Sequence, residues 1–175
     1  MTNNQASTEL TAEEVIARLG LEAHPTEGGY FRETYRSAHS FEPGPPYAGP
    51  RSHGTAIYYL LTADTCSAMH RLPGDEVFHF YLGDPVEMLE LHPDGRSTRT
   101  LLGPVLGDMT VQHVVSAGTW QGSLLLDGGK WALLGATMAP GFSYEDYESG
   151  TEALLEAFPS RAPMIAARLP RPRNV

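Results

Sequence analysis

Alternating apolar and polar positions dominate the middle of the chain, from residue 55 to residue 138. Short runs rich in β-branched and aromatic residues follow one another there, and turns containing glycine, proline or aspartate separate most of them. The runs cover residues 55–62, 66–72, 76–82, 86–92, 96–101, 109–115, 120–126 and 130–138. Eight short strands at nearly even spacing, without intervening helices, predict an antiparallel sandwich or barrel.

Helical patterns occur on either side of this β-rich region. Thr11 and Glu14 have the spacing of a capping box and Gly20 supplies a stop, so the sequence predicts a helix over residues 12–19. Residues 149–158 are typical of a second helix that closes the fold. No long linker or internal repeat divides the chain. We therefore expect one mainly β domain over residues 1–175, with its core at about 19–158.

The chain is acidic, and its charge limits the partners that it is expected to bind. It has 175 residues, a net charge of −9 and a single lysine. A nucleic-acid-binding surface needs a basic stripe, and the sequence shows none. Arg168, Arg171 and Arg173 cluster at the C-terminus, where the prolines between them predict a frayed, solvated tail, placed at about residues 169–175.

The single cysteine and the first ten residues indicate in which cellular compartment the protein is expected. Cys66 is the only cysteine, so no disulfide can form within the chain, which fits a reducing compartment. Residues 1–10 are polar and lack the apolar segment of a signal peptide. No apolar run approaches the ~18 residues that a membrane-spanning helix needs. We therefore expect a cytoplasmic protein with no membrane partner.

The richest chemistry in the sequence surrounds one predicted turn, from Pro73 to Asp75. His70 precedes this turn and Glu76 follows it, in the run H-R-L-P-G-D-E-V-F-H-F-Y-L-G that ends at Gly83. Strand alternation gives His70 and Glu76 the same direction, into the barrel. A buried carboxylate is costly unless it is paired, so a His70–Glu76 pair satisfies both groups and has the form of an oriented general base.

Five blocks of sequence occur in an informative order. They are H-P-T-E-G-G-Y-F-R-E-T-Y-R-S (24–37), I-Y-Y-L-L (57–61), S-A-M-H-R-L-P-G-D-E-V-F-H-F-Y-L-G (67–83), V-V-S-A-G-T-W-Q (114–121) and A-P-G-F (139–142). With these blocks the chain resembles the cupin superfamily, and most closely its Cupin five family, over roughly residues 19–158. The resemblance implies a double-stranded β-helix, the cupin form of the jelly-roll barrel. It implies no particular activity, because the biochemical function of that family is not established.

The resemblance also bears on metal binding. Metal-binding cupins supply two histidines and a glutamate from their first motif, and a third histidine from their second. Here His70 and Glu76 match two of those positions, Leu72 occupies the position of the second histidine, and Gln121 that of the third. Two firm ligands and an amide rarely hold zinc or iron, so we expect no metal cofactor. The expected ligands of any divalent metal are His70 and Glu76.

Other residues are candidates for the same site. Tyr35 is a candidate catalytic acid opposite His70, and Arg32 is a candidate for binding a phosphate or carboxylate through its guanidinium group. Trp120 and Gln121 fall where the second cupin motif closes over the cavity. The expected ligand-binding residues are Arg32, Tyr58, His79, Gln112, Trp120 and Gln121.

These residues leave three functions open. The first is a metal-independent isomerase or epimerase that acts on a carbohydrate or nucleotide-sugar derivative, since jelly-roll sugar-nucleotide epimerases pair a histidine base with a tyrosine acid. The second is a metal-dependent dioxygenase or isomerase with a reduced ligand set. The third is a non-catalytic module whose barrel binds a small metabolite.

Apolar positions expected on outward strand faces predict self-association. They are Val77, His79 and Tyr81 on one strand, and Ile57, Tyr59 and Leu61 on another. No helix predicted from the sequence is expected to cover these faces. Uncovered apolar strand faces favour burial against a second subunit, most simply with two-fold symmetry. We therefore expect a homodimer.

Overall fold

Antiparallel strands build most of residues 10–170, the part of the chain that this computed structural model describes. The strands are β1 (Glu22–Ala23), β2 (Tyr30–Arg36), β3 (Ser40–Phe41), β4 (Arg51–Ser52), β5 (Thr55–Thr62), β6 (Ser67–Arg71), β7 (Glu76–Gly83), β8 (Val86–Leu91), β9 (Ser97–Leu102), β10 (Gln112–Val115), β11 (Trp120–Leu125), β12 (Trp131–Met138) and β13 (Glu148–Ser149). The helices are α1 (Ala12–Leu19), α2 (Ala153–Ala157) and α3 (Ala162–Ala166). The eight predicted strands correspond to β5 through β12.

Helix α1 has the bounds that its capping signals predict. The backbone N–H of Glu14 donates to Oγ1 of Thr11 at 3.3 Å, and the backbone N–H of Thr11 donates to the Glu14 carboxylate at 2.9 Å. This reciprocal pair satisfies donors that the first helical turn leaves unbonded. Gly20 ends the helix in the left-handed conformation, with φ at 61°.

Two sheets face each other in a jelly roll. One has six strands in the order β1-β2-β5-β12-β7-β10, and the other has five in the order β13-β6-β11-β8-β9. Within both sheets the paired strands run antiparallel. Strands β3 and β4 form a separate two-stranded ribbon. The expected mainly β, cupin-type jelly-roll fold is confirmed.

Helix α1 covers part of the outer face of the six-stranded sheet. Val15 packs there against Leu60, in a cluster separate from the one that fills the space between the sheets. Tyr59 and Leu61 belong to the inner cluster and are 1% and 0% exposed. The prediction that Ile57, Tyr59 and Leu61 form an uncovered outer face is therefore wrong. Alternation along β5 turns these three side chains inward and places Leu60 beneath the helix.

The C-terminal segment differs most from its prediction. The closing helix expected over 149–158 is the shorter α2, and α3 follows it on the outer face of the five-stranded sheet. Arg168 is 1% exposed, and its guanidinium group donates to Oε1 of Glu87 on β8 at 2.7 Å. The prediction of a solvated Arg168 is wrong, because this distant carboxylate pairs with it. Arg171, Arg173 and the expected tail beyond residue 170 lie outside the described residues.

Between residues 10 and 170, no helix combines the length and the apolar character that crossing a membrane requires.

Candidate functional site

A cavity of about 300 Å³ lies between the two sheets. Strands β2, β5 and β12 of the six-stranded sheet form one wall, β6 and the start of β7 form the floor, and residues 142–147 cross the mouth. His70 and Glu76, the pair predicted from the sequence, both line this cavity. Two further residues, His24 and Glu27, reach the same floor from the loop before β2.

His70 is the centre of this polar floor. Its Nδ1 lies 2.8 Å from the backbone carbonyl of Ala68, so that Nδ1 carries a proton and Nε2 faces the cavity. Nε2 is 4.0 Å from Oε2 of Glu27 and 4.0 Å from Oε2 of Glu76. Both separations exceed a direct hydrogen bond and leave room for a bridging group.

The charge of His70 follows from these neighbours. Burial by itself lowers the pKa of this imidazole, since it disfavours the charged form. The negative charge of Glu27 opposes burial, followed by the interactions with Glu76 and the Ala68 carbonyl, and the net effect raises the pKa of His70 from 6.5 to about 9. A pKa raised in this way favours the imidazolium at neutral pH. A protonated ring donates a hydrogen bond and does not accept a proton, so this direction favours an acid over the expected general base.

Two glycines place Glu27 at the floor. Gly28 and Gly29 have φ values of 96° and 68°, a region that residues with a Cβ rarely adopt. A Cβ on Gly28 would also lie 2.5 Å from the backbone carbonyl oxygen of Cys66. This tight turn directs Glu27 inward, where the Ser67 hydroxyl donates to its Oε1 and leaves Oε2 facing His70.

His24 supplies a second ring beside Glu27. Its Nδ1 accepts backbone N–H groups of Glu27 at 2.9 Å and of Thr26 at 3.4 Å. A nitrogen that accepts these bonds has no proton, so the proton of the neutral ring is on Nε2. That Nε2 lies 4.0 Å from Oε2 of Glu27. No pattern in the sequence singles out His24 as a functional residue.

Gln121 supports the floor from behind. Its Nε2 donates to Oε2 of Glu76 at 2.7 Å, and it pairs with His70 across β11 and β6. The side chain is 2% exposed and does not line the cavity. The structure thus brings His70, Glu76 and Gln121 together, with Gln121 fixing the carboxylate.

Tyrosines reach the cavity from the segment after β12. Tyr147 stacks on His70 with the ring centres 5.0 Å apart, and Tyr144 lies near the mouth. Burial and then the charges of Glu27 and Glu76 raise the pKa of Tyr147 far above its usual value, so it remains a neutral hydroxyl. The segment is held by Arg51, which makes two 2.7 Å bonds to the Asp146 carboxylate.

Tyr35 does not line this cavity. Strand β2 is bulged at Thr34, where its register against β5 shifts between Glu33 and Tyr35. The bulge turns Tyr35 outward, 57% exposed, and brings Arg36 to the cavity instead. The expectation that Tyr35 is the acid opposite His70 is therefore corrected, because the site's tyrosines are Tyr144 and Tyr147.

Arg32 and Tyr58 also lie away from the cavity. They are paired on β2 and β5, and the Arg32 guanidinium sits 5.7 Å from the centre of the Tyr58 ring. Alternation places both on the outer face of the sheet, where Tyr58 packs beside the cluster under α1.

The remaining three expected ligand-binding residues have other partners as well. His79 and Gln112 face outward on β7 and β10 and bond to each other at 3.2 Å, while His79 also contacts the Thr137 hydroxyl at 2.7 Å. Trp120 packs near α2 and α3, with the Arg71 guanidinium 4.7 Å from its ring. None of the three lines the cavity.

The residues present do not fit a first-row metal ion. Leu72 lines the cavity at the position of the second cupin histidine, and Gln121, whose amide nitrogen donates to Glu76, does not line the cavity. Nε2 of His24 carries a proton and cannot ligate while Nδ1 accepts backbone bonds. Throughout residues 10–170, no three His, Cys, Asp or Glu side chains are arranged to hold a metal.

Around His70, sequence reasoning missed His24, Glu27, Tyr144 and Tyr147, which line the cavity beside it. The signal for Glu27 was the Gly28-Gly29 pair, which indicates a tight turn directly after that residue. The tyrosines follow the A-P-G-F block at 139–142, but local pattern does not show that this segment folds back over His70.

Comparison with known proteins extends these observations. The sequence profile of the Cupin_5 family, described as Cupin superfamily (DUF985), matches residues 13–150. The chain is 30% identical over 133 residues to the uncharacterized protein YML079W of Saccharomyces cerevisiae, which covers 69% of this chain and 66% of that protein. This chain thus spans about two thirds of that relative's length.

Two solved structures are similar over most of the chain. Protein SO0799 from Shewanella oneidensis is 32% identical with a TM-score of 0.82, covering 94% of this chain and 100% of that one. A hypothetical protein from Leishmania major is 32% identical with a TM-score of 0.83, covering 91% and 99% respectively. The names of these proteins state no activity.

Proposed function

The chain belongs to the Cupin_5 family of the cupin superfamily, and from its cavity we propose that it is a metal-independent isomerase or epimerase of a small carbohydrate-like molecule. The observation that carries this proposal is the imidazolium of His70 set 4.0 Å from two carboxylates on the cavity floor. A proton donor and proton acceptors thus lie side by side in a partly enclosed site, which is what proton transfer next to a carbonyl requires.

The proposed step begins at a carbon that bears a hydrogen and a hydroxyl and lies next to a carbonyl. Glu76 removes that hydrogen as a proton, while Nε2–H of His70 donates a proton to the carbonyl oxygen. The electron pair of the broken C–H bond forms the C=C bond of an enediol. In the second half, Glu76 returns its proton to carbon, and the enediol hydroxyl that becomes the carbonyl gives its proton back to Nε2 of His70. Protonation of the former carbonyl carbon gives an isomer. Protonation of the original carbon on its opposite face, after the enediol has turned over the carboxylate, gives an epimer.

The other groups on the floor have supporting roles in this proposal. Glu27 keeps His70 protonated, because it is the largest of the influences that raise the pKa of that ring. Gln121 holds the Glu76 carboxylate at 2.7 Å, and Tyr147 fixes the ring plane of His70 by stacking on it. These contacts preorganise the donor and the acceptor before a substrate arrives.

Deuterium exchange tests the proposal while the substrate is still unidentified. The protein is incubated in D₂O with a panel of aldoses and ketoses, and loss of the proton signal next to the carbonyl is followed by NMR. We expect exchange with at least one sugar. We also expect His70→Gln and Glu76→Gln to reduce it by about 10²-fold or more, the scale of one acid or base.

The matched control is Glu156→Gln, which removes an exposed carboxylate on α2 and should leave exchange unchanged. A sugar that binds without exchange in the wild-type protein would favour the non-catalytic binding module. Full exchange in His70→Gln would reject the assignment of the acid.

A further inference from the structure

Among the described residues, the two guanidinium groups that line the cavity are each paired with a carboxylate. Arg36 makes two bonds to Glu33, from Nε at 3.0 Å and from Nη2 at 2.7 Å, and Nη1 donates to the Phe142 carbonyl. Arg51 is committed in the same way to Asp146, and its Nη1 donates to the carbonyl of Pro50 at 2.9 Å. His70 is the third cation, between Glu27 and Glu76.

Negative charge balances positive charge around the cavity. Within residues 10–170, the three lining cations are matched by three lining carboxylates, Glu27, Glu33 and Glu76, and Asp146 pairs with Arg51 beside them. Burial, followed by the negative charges of nearby glutamates, raises the pKa of Tyr144 at the mouth. Like charges repel strongly in a partly buried site, where water screens them poorly.

An anionic ligand would find little to bind here. Phosphates and carboxylates are held by guanidinium groups whose N–H donors point at the ligand. In this cavity those donors are used by Glu33 and Asp146 and by backbone carbonyls. A phosphate would have to compete with these carboxylates for the guanidinium groups and remain beside them.

The other walls suit a small molecule with apolar faces and polar edges. Phe31, Ile57, Met138 and Phe142 supply apolar and aromatic surface, opposite the glutamates and His70 of the floor. The volume of about 300 Å³ is at the lower end of the range for ligand pockets, about 300–1,000 Å³. The nucleotide of a nucleotide-linked molecule would therefore have to lie outside the cavity.

We infer that the cavity takes an uncharged polyhydroxylated molecule of at most about monosaccharide size, and discriminates against phosphorylated and nucleotide-linked forms. The inference rests on the proposed function for its site and names the class of substrate that this site accepts. It selects the free carbohydrate from the two alternatives, a carbohydrate or a nucleotide sugar, that the sequence leaves open.

Binding of paired ligands tests the inference. Dissociation constants are measured by calorimetry for free hexoses and pentoses, for glucose 6-phosphate and fructose 6-phosphate, and for UDP-glucose. We expect at least one free sugar to bind. We expect the phosphorylated and UDP-linked compounds to bind at least tenfold more weakly than the best free sugar. Equal or tighter binding of a phosphorylated or UDP-linked compound, or failure of every free sugar to bind, would overturn the inference.

A charge variant tests the physical cause. Glu33→Gln removes the charge that neutralises Arg36 at the mouth, and we expect it to tighten binding of the sugar phosphates several-fold. Glu156→Gln changes the net charge of the protein equally but lies on α2, and should leave those constants unchanged. An equal tightening of sugar-phosphate binding in both variants would show that the effect is not local to the cavity.

The two proposals can fail separately. A free sugar that binds but does not exchange deuterium contradicts the proposed isomerase and leaves this inference intact. Deuterium exchange on a phosphorylated sugar in preference to its free form contradicts this inference and leaves the proposed isomerase intact.

Discussion

Oε2 of Glu27 lies 4.0 Å from Nε2 of His70, the same distance that separates Nε2 from Oε2 of Glu76. Glu76 follows His70 closely in the sequence, whereas Glu27 comes from the loop before β2, so the two carboxylates approach the ring from separate segments. This arrangement keeps a buried imidazole charged, and it depends on the turn that directs Glu27 inward.

Stability should fall with rising pH because of His70. Its pKa is about 9 in the folded protein against 6.5 for the unperturbed group, so the folded state binds this proton more tightly. The contribution is complete below pH 6.5 and is lost as the pH rises through about 9, amounting to about 3 kcal/mol. In urea unfolding between pH 6 and pH 10, the difference in free energy of unfolding between the wild-type protein and His70→Gln should decrease as the pH rises. A difference independent of pH would contradict the raised pKa.

Gly28→Ala should destabilise the protein and displace Glu27. The substitution requires a positive φ of 96° and places a Cβ against the Cys66 carbonyl oxygen, so we expect a loss of about 2–3 kcal/mol in the free energy of unfolding. Gly95→Ala is the matched control, with a φ of 86° but no atom near the new Cβ. It should cost only about 1 kcal/mol. Equal losses in the two variants would show that the close approach to Cys66 is unimportant.

Arg168→Ala should reduce the free energy of unfolding by about 2–3 kcal/mol. The guanidinium group is buried, donates to Glu87 and to the carbonyl of Met164, and joins the C-terminal segment to β8. Arg96→Ala is the control, because that side chain forms an exposed pair with Asp94, a kind of pair worth at most about 1 kcal/mol. Chemical denaturation of both variants makes the comparison, and similar losses would mean that Arg168 does not anchor the segment.

The protein should be a homodimer that uses the outer face of β7 and β10. Tyr81 and Val114 are 46% and 48% exposed there, beside Val77 and the hydrogen-bonded His79–Gln112 pair. Two copies of an acidic chain repel least where they meet through uncharged surface. Light scattering at micromolar concentration should give a molecular mass of twice 19.1 kDa, and Val114→Glu should reduce this mass to that of one chain.

Leu106→Glu is the matched control for this interface. Leu106 is 74% exposed and lies outside that face, so the variant should remain dimeric. A wild-type mass near that of one chain would contradict the dimer.

Local patterns predicted much of the fold and the first part of the site. Helix α1 and strands β5 through β12 follow from capping signals, periodicity and turns, which act over a few residues. The pairing of His70 with Glu76 follows for the same reason, because one tight turn separates the strands that carry them.

Features that depend on long-range contacts were not predictable in this way. The bulge at Thr34 reverses the direction of Tyr35, and simple alternation does not account for a bulge. Burial of Arg168 depends on Glu87, which is distant in the sequence, and Glu27 reaches His70 only when the loop before β2 folds over β6.

The proposed chemistry depends on a protonated His70, and an NMR pH titration of this ring tests its protonation in the absence of any substrate. We expect a pKa near 9 in the wild-type protein, a clear decrease in Glu27→Gln, and little change in Glu33→Gln, whose carboxylate pairs with Arg36 instead. A wild-type pKa at or below 6.5, or one that Glu27→Gln leaves unchanged, would contradict the role given to His70 as an acid held in its charged form by Glu27.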